Sequence, residues 1–170
     1  MKGNKFIKKC IKDSLLILMN EKNFKDITIT EITEKAGVSR MAYYRNYTYK
    51  EDILKDYFEE LKEEYLQSNI EEKDIYDRFL FAFNFFHNNK DLFIVLEKSN
   101  LSSIIQNKLN EYMTAFYPNN KNDITQKYRI YILSGAIYNA SKMWILNGAK
   151  ESPETLATIF YERLFPENNN

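Results

Sequence analysis

Four residues near the start of the chain, Ala36-Gly37-Val38-Ser39, set a helix stop directly against a helix start. Gly37 can take the left-handed backbone that closes a helix at little steric cost. Ser39 is suited to cap the next helix by accepting from its free N–H groups. Two short amphipathic segments are thereby joined through a sharp turn, and the second is thrown steeply across the first. Upstream, Thr28 reads as an N-cap, Glu31 three residues on completes a capping box, and Ile27 and Ile32 stand as a hydrophobic staple. Val38 and Tyr43 repeat the staple around Ser39.

The rest of the chain also favours helices. Four Gly and three Pro in 170 residues are too few for the turns of a sandwich or barrel. Phe6, Ile7, Cys10, Ile11, Leu15, Leu18 and Met19 recur at helical spacing and predict a first helix over about 4–21. The second and third lie on either side of Gly37, the third running to about Asn46. A fourth, about 50–68, presents Ile53, Leu54, Tyr57, Phe58, Leu61 and Tyr65 along one stripe. The fifth, 72–88, is apolar nearly all round and is expected at the centre of its domain. Shorter segments follow at 91–97 and 101–116, the latter stopped by Tyr117-Pro118. A long eighth helix, 123–146, ends at Asn147-Gly148, and Ser152-Pro153-Glu154 opens a ninth with Pro at its first position. No strand pattern and no internal repeat competes. The expected fold is all-α, with about nine helices.

Charge is distributed unevenly. The net charge is zero, yet residues 1–54 carry 11 Lys/Arg against 7 Asp/Glu, a balance of +4, and residues 55–170 carry 13 against 17, a balance of −4. A basic N-terminal part on an acidic body is the asymmetry expected when one end faces phosphate. No apolar run approaches the length of a membrane span, and the basic N-terminus, with Asp13 inside its amphipathic pattern, does not read as a signal peptide. The single Cys10 excludes an internal disulfide framework and fits a reducing cytosol, so a cytoplasmic location is expected. One His, no His-Glu-x-x-His, no phosphate loop and no paired Cys argue against a catalytic centre, a metal site or a bound cofactor. Carboxylate pairs such as Glu51-Asp52 and Glu63-Glu64 fall on solvated faces.

From about Phe6 to Leu61 the chain resembles the DNA-binding domain of the TetR/AcrR family of bacterial transcription regulators. The likeness is densest at Thr28-x-x-x-Ile32-x-x-x-Ala36-Gly37-Val38-Ser39, at Tyr44 and Tyr47, and at Lys50-Glu51-Asp52-Ile53-Leu54. The resemblance implies a three-helix DNA-binding domain over 1–50 and a connecting fourth helix. It implies a larger helical effector-binding and dimerisation domain over 51–170. In a helix-turn-helix the start of the second helix enters the major groove, which makes Ser39 to Asn46 the reading segment. Arg40 suits a bidentate contact with guanine, and Met41 and Ala42 suit thymine methyls. The resemblance places Tyr44 on a phosphate, with Arg45 and Asn46 near backbone or base edges. Tyr43 is expected to pack inward. Lys50 stands in the first turn of a helix, where a cation opposes the macrodipole; a phosphate contact is the expected reason for it. Thr28 is a cap first and a phosphate contact second. Positions 41, 42 and 49 are the least family-like, and the chain's own operator preference is expected there.

Aromatic residues make up 15% of the chain, most of them after residue 56. Phe83, Phe86, Tyr112, Met113, Phe116 and Tyr138, with Trp144 beside them, are candidates to line an apolar effector pocket among helices five, seven and eight. The competing reading is that they are core. His87, next to two asparagines, is expected as an exposed helix end. Helix eight carries a small-residue face, Gly135, Ala136 and Ala140, with Asn139 and Met143 adjacent. With Leu156, Ile159 and Phe160 of helix nine it is the expected dimer interface, a four-helix bundle across a two-fold axis. The expected function is a ligand-responsive repressor that binds a palindromic DNA operator as a homodimer, with a small apolar or aromatic effector. Alternatives are a regulator or activator without a small-molecule effector, and a helical protein-interaction module.

Overall fold

Local signals at helix ends set most of the architecture. A computed structural model describes residues 2–116 and 123–166, without the side chains of Lys2, Glu71, Ala115 and Phe116. Among the described residues it has helices and no strands, in the order α1 (Lys2–Glu21), α2 (Ile29–Ala36), α3 (Arg40–Tyr44), α4 (Lys50–Gln67), α5 (Ile75–Asn88), α6 (Lys90–Lys98), α7 (Ser102–Phe116), α8 (Ile124–Leu146) and α9 (Pro153–Leu164). Short 3₁₀ turns stand at Phe24–Asp26 and Ile70–Glu72. No helix among the described residues is long and apolar enough to cross a membrane.

The chain divides into two compact units. The first comprises residues 1–63 with 95–101, and the second residues 64–94 with 102–170. In the first, α1 packs on α2 and α2 on α3. Ile11, Leu15, Ile32, Tyr43 and Ile53 are fully buried there. Lys12, although charged, is buried beside carboxylates of α4, 3.2 Å from Asp56 and 2.5 Å from Glu60. Asp56 also takes hydrogen bonds of 2.7 Å from Lys8 and from the hydroxyl of Tyr47. Burial works to raise the Asp56 pKa, but the donors Lys8, Tyr47 and Lys12 outweigh it and hold the carboxyl below its ordinary range.

In the second unit α5 is central, packed against both α8 and α9, and α7 packs on α8. Its core is aromatic. Phe83 meets Phe160 at 4.9 Å and Trp144 at 6.2 Å, both edge-on, and Phe86 lies 4.5 Å from Phe93. α8 is two-sided: Ile130, Ser134, Ile137, Ser141, Trp144 and Ile145 are buried, while Ile124, Tyr128, Tyr131, Ile132, Met143 and Leu146 stand exposed on other faces.

Two of the boundaries that differ from the sequence expectation have a visible side-chain cause or companion. α5 begins at Ile75 rather than 72, because the Asp74 side chain caps it, accepting from the Asp77 N–H at 2.8 Å. α3 ends at Tyr44, two residues early, and the Asn46 side-chain amide donates to the Ala42 carbonyl at 2.8 Å.

Candidate functional site

The turn between α2 and α3 is built as its residues require. Gly37 has φ +64° and donates its N–H to the Glu34 carbonyl, while the Val38 N–H reaches back to Thr33. These paired bonds are a Schellman closure, which satisfies the last carbonyls of α2. Ser39 Oγ accepts from the Ala42 N–H at 3.1 Å and opens α3. Thr28 and Glu31 form the full capping box at the start of α2. Lys22 donates to the Glu31 carboxylate, as do the Thr28 N–H and hydroxyl, and together they pull its pKa down to about 2.

α3 presents an outward face of mixed chemistry. Met41 is 66% exposed and Tyr44 54%, and just beyond the helix Tyr49 is 65% exposed. Arg40 and Arg45 are exposed beside them, and Ala42 and Asn46 are half-buried. Tyr43 turns inward and is completely buried. The Arg40 guanidinium donates to the hydroxyl of Thr30 on α2. Thr30 went unnoticed in the sequence, although ten residues across a known turn place it beside the reading helix.

Lys50 has a local explanation that the sequence reading did not find. Its ammonium donates to the backbone carbonyls of Phe24 (2.7 Å), Lys25 (2.8 Å) and Ile27 (2.8 Å) and lies 4.8 Å from the centre of the Phe24 ring. An ammonium has three N–H donors. All three have carbonyl partners within the chain, so opposition to the helix dipole no longer calls for a phosphate.

The second unit contains a cavity of about 530 Å³. α5 contributes Ile75, Phe79 and Ala82, α7 contributes Leu109 and Met113, and α8 contributes Leu133 and Ile137. Tyr65, Tyr161 and Phe165 add aromatic surface, and Lys73, Asp74, Arg78 and Arg129 add charge. Of the expected pocket residues Met113 lines this space. Phe83, Phe86, Tyr112 and Tyr138 do not; Phe83 and Phe86 are spent on the aromatic core, and Tyr112 stacks on Tyr65 at 5.8 Å. The Phe116 side chain lies outside the described residues. Trp144 is buried with its indole N–H on the Glu151 carbonyl at 3.1 Å. His87 is half-buried and stacked on Trp144 at 5.5 Å, rather than standing free at a helix end. The missed lining residues share a signal: Arg129, Leu133 and Ile137 recur every four residues on one face of α8.

The residues expected at a dimer interface separate into two groups. Gly135, Ala136 and Ala140 are half-buried, and Asn139, Met143 and Ile159 are exposed. Leu156 is buried, and Phe160 packs on Phe79 (5.5 Å) and Phe83 of its own chain. These two side chains therefore belong to the core of the unit, because α9 lies against α5. Among the described residues no group of three or more His, Cys, Asp or Glu is placed to hold a metal ion.

Residues 73–165, more than half of the chain, match a TetR-type family model described as the transcriptional regulator C-terminal region. An uncharacterized HTH-type transcriptional regulator of Bacillus subtilis (strain 168), YxbF, is 42% identical over 53 residues, which are 31% of this chain. The match spans 14% of that relative's length. The dihydroxyacetone kinase operon activator DhaS has a similar structure, with a TM-score of 0.68 over 95% of each chain at 16% identity, a likeness of fold. With a capped helix-turn-helix in its first unit and this C-terminal region in its second, the chain belongs to the TetR family of transcriptional regulators.

Proposed function

We propose that this regulator binds a near-palindromic DNA operator as a homodimer and that an effector in the cavity of the second unit controls that binding. The observation that carries the reading is the outward face of α3, where Arg40, Met41, Tyr44 and Arg45 are all exposed. Its mixture of guanidinium, methyl and phenol groups suits a major groove and its phosphates. Residues 1–50 are the DNA-binding domain. Arg40 reads guanine, Met41 and Ala42 contact thymine methyls, Tyr44 and the Thr28 helix start hold phosphates, and Arg45 and Asn46 lie along the backbone. Ser39 sets the start of the reading helix. Lys50 supports the domain from within.

Residues 51–170 carry effector binding and dimerisation. Both are supported by α8, whose buried side serves its own chain and whose other side keeps apolar side chains such as Met143 exposed among the described residues. Gly135, Ala136, Asn139, Ala140, Met143 and Ile159 form the proposed contact, and dimerisation places two reading helices about one DNA turn, roughly 34–36 Å, apart. α4 runs from Lys50 to Tyr65 at the cavity wall, so an occupant that favours one position of α4 shifts the population competent for DNA.

Repression by occupancy is the proposed sign of regulation. DhaS is named as an operon activator, and activation is the alternative outcome of a transcription assay. The decisive experiment is selection of duplexes from a random pool followed by a salt titration. A palindromic site is expected, with affinity falling steeply in salt at a log–log slope of about −0.9 per phosphate contact. No selected site, or indifference to salt, would leave a protein-interaction module as the better account.

A further inference from the structure

The charged side chains at the cavity are unbalanced. Among the described residues that line it, Lys73, Arg78 and Arg129 are cationic and Asp74 alone is anionic. Asp74 is already committed as the cap of α5, accepting from the Asp77 N–H. Arg78 is fixed in place by a 2.8 Å hydrogen bond from its Nε to the Lys73 carbonyl. Arg129 and Lys73 are exposed, and neither side chain enters an ion pair among the described residues. Beneath them the wall turns apolar: Phe79, Met113 and Ile137 are all buried. Two exposed cations, Lys73 and Arg129, thus border an apolar space large enough for a drug-sized molecule.

We infer that the occupant of this cavity is an organic acid, with an alkyl or aromatic body in the apolar part and a carboxylate held by Arg129 with Lys73. The inference rests on the reading of this cavity as the effector site and names the chemistry of the effector. An arginine fork matches a carboxylate with two parallel hydrogen bonds. A neutral molecule of the same shape leaves those cations in water and gains nothing from them. An amine of the same shape is repelled by these two cations, so the groups that attract the acid disfavour the base.

The test titrates the full-length protein with decanoate, decan-1-ol and decylamine by calorimetry, in the wild type and in Arg129→Gln and Lys73→Gln, with circular-dichroism melts run in parallel. Decanoate is expected to bind about tenfold or more tighter than decanol, and decylamine weakest of the three. Arg129→Gln is expected to remove most of that preference, leave decanol binding unchanged and leave the melt unchanged, since the side chain is exposed. Equal binding of acid and alcohol, stronger binding of the amine, or an acid preference that survives both substitutions overturns the inference while the cavity remains a binding site. If neither the three ligands nor 4-phenylbutyrate bind, the inference and the effector reading fall together.

Discussion

The guanidinium of Arg40, on the helix proposed to read DNA, is held by the hydroxyl of Thr30 on the helix behind it. An exposed arginine otherwise surrenders much rotamer freedom when it meets a base, about 0.5–1.5 kcal/mol for an immobilised long side chain. Thr30 orders Arg40 in advance. Thr30→Val keeps the shape and removes the acceptor. It is expected to weaken operator binding severalfold with the salt slope unchanged, whereas Arg40→Ala is expected to cost about 1–3 kcal/mol at one guanine position. Fluorescence anisotropy on the selected duplex and on its single-base variants separates the two. Equal affinity of Thr30→Val and wild type would remove Thr30 from the recognition scheme.

Lys50 joins α4 to the turn before α2 through three carbonyls. Hydrogen bonds to a charged group are worth more than neutral ones, and partial exposure reduces them here. Lys50→Met retains the aliphatic stem and is expected to lower stability by about 2 kcal/mol in urea denaturation. Its effect on DNA is expected to be a loss of affinity without a change in salt slope. A slope shallower by about 0.9 would instead assign Lys50 to a phosphate.

Glu31 tests the capping box through pH. Its carboxyl titrates near 2 in the folded chain against an ordinary value of 4.5, first because of Lys22 and then because of Thr28. With the folded value depressed, the stabilisation is present above about pH 4.5 and drains away as pH falls towards 2. Glu31→Gln is therefore expected to melt below wild type at neutral pH, and the gap is expected to close in acid. Because the carboxylate is exposed, added salt should narrow it as well. A gap independent of pH would mean the carboxylate charge contributes nothing.

Tyr43 carries a buried hydroxyl with no hydrogen-bond partner among the described residues. Burial, ahead of the neighbouring Asp52, pushes its pKa up to about 12. An unsatisfied buried polar group costs about 1–3 kcal/mol, so Tyr43→Phe is expected to stabilise the protein, by about 1 kcal/mol after relaxation. The benefit should grow in alkali. The unfolded phenol ionises near 10 while the folded one stays neutral to about 12, so wild-type stability falls as pH rises through that interval. Tyr47, raised by its burial and its bond to Asp56, adds a loss of the same sign that the substitution leaves in place. Urea denaturation at pH 8 and pH 10.5 measures both effects, and destabilisation at pH 8 would show that the hydroxyl has a partner.

The helix-turn-helix was legible because its determinants are short-range. Thr28 with Glu31, Gly37, and Ser39 act within four residues, where spacing alone fixes geometry. Lys50 was not legible, since its acceptors are backbone atoms 23 to 26 residues earlier, in an irregular turn that no side-chain pattern marks. The lining of the cavity was not legible for a different reason. Phe83 and Phe86 have the helical spacing of a pocket wall and of a core alike, and only the packing of α9 and Phe93 against them decides between the two. The division of the dimer candidates has the same origin: Leu156 and Phe160 are apolar whichever way α9 faces, and contact with α5 turns them inward.

Gly135 offers a clean separation of fold from assembly. A Cβ built there meets nothing within 4 Å among the described residues, so no contact among them demands a glycine in the middle of α8. Helix propensity argues against one, at a cost of about 1 kcal/mol relative to alanine. A second copy of α8 approaching closely at this position is the reason proposed for it. Gly135→Leu is accordingly expected to leave helicity intact or raised while weakening the dimer about tenfold or more. Sedimentation equilibrium of wild type and variant, with circular dichroism on the same samples, reads both properties at once. A variant that stays as dimeric as wild type would move the interface away from Gly135, and a wild type that is monomeric at micromolar concentration would remove it altogether.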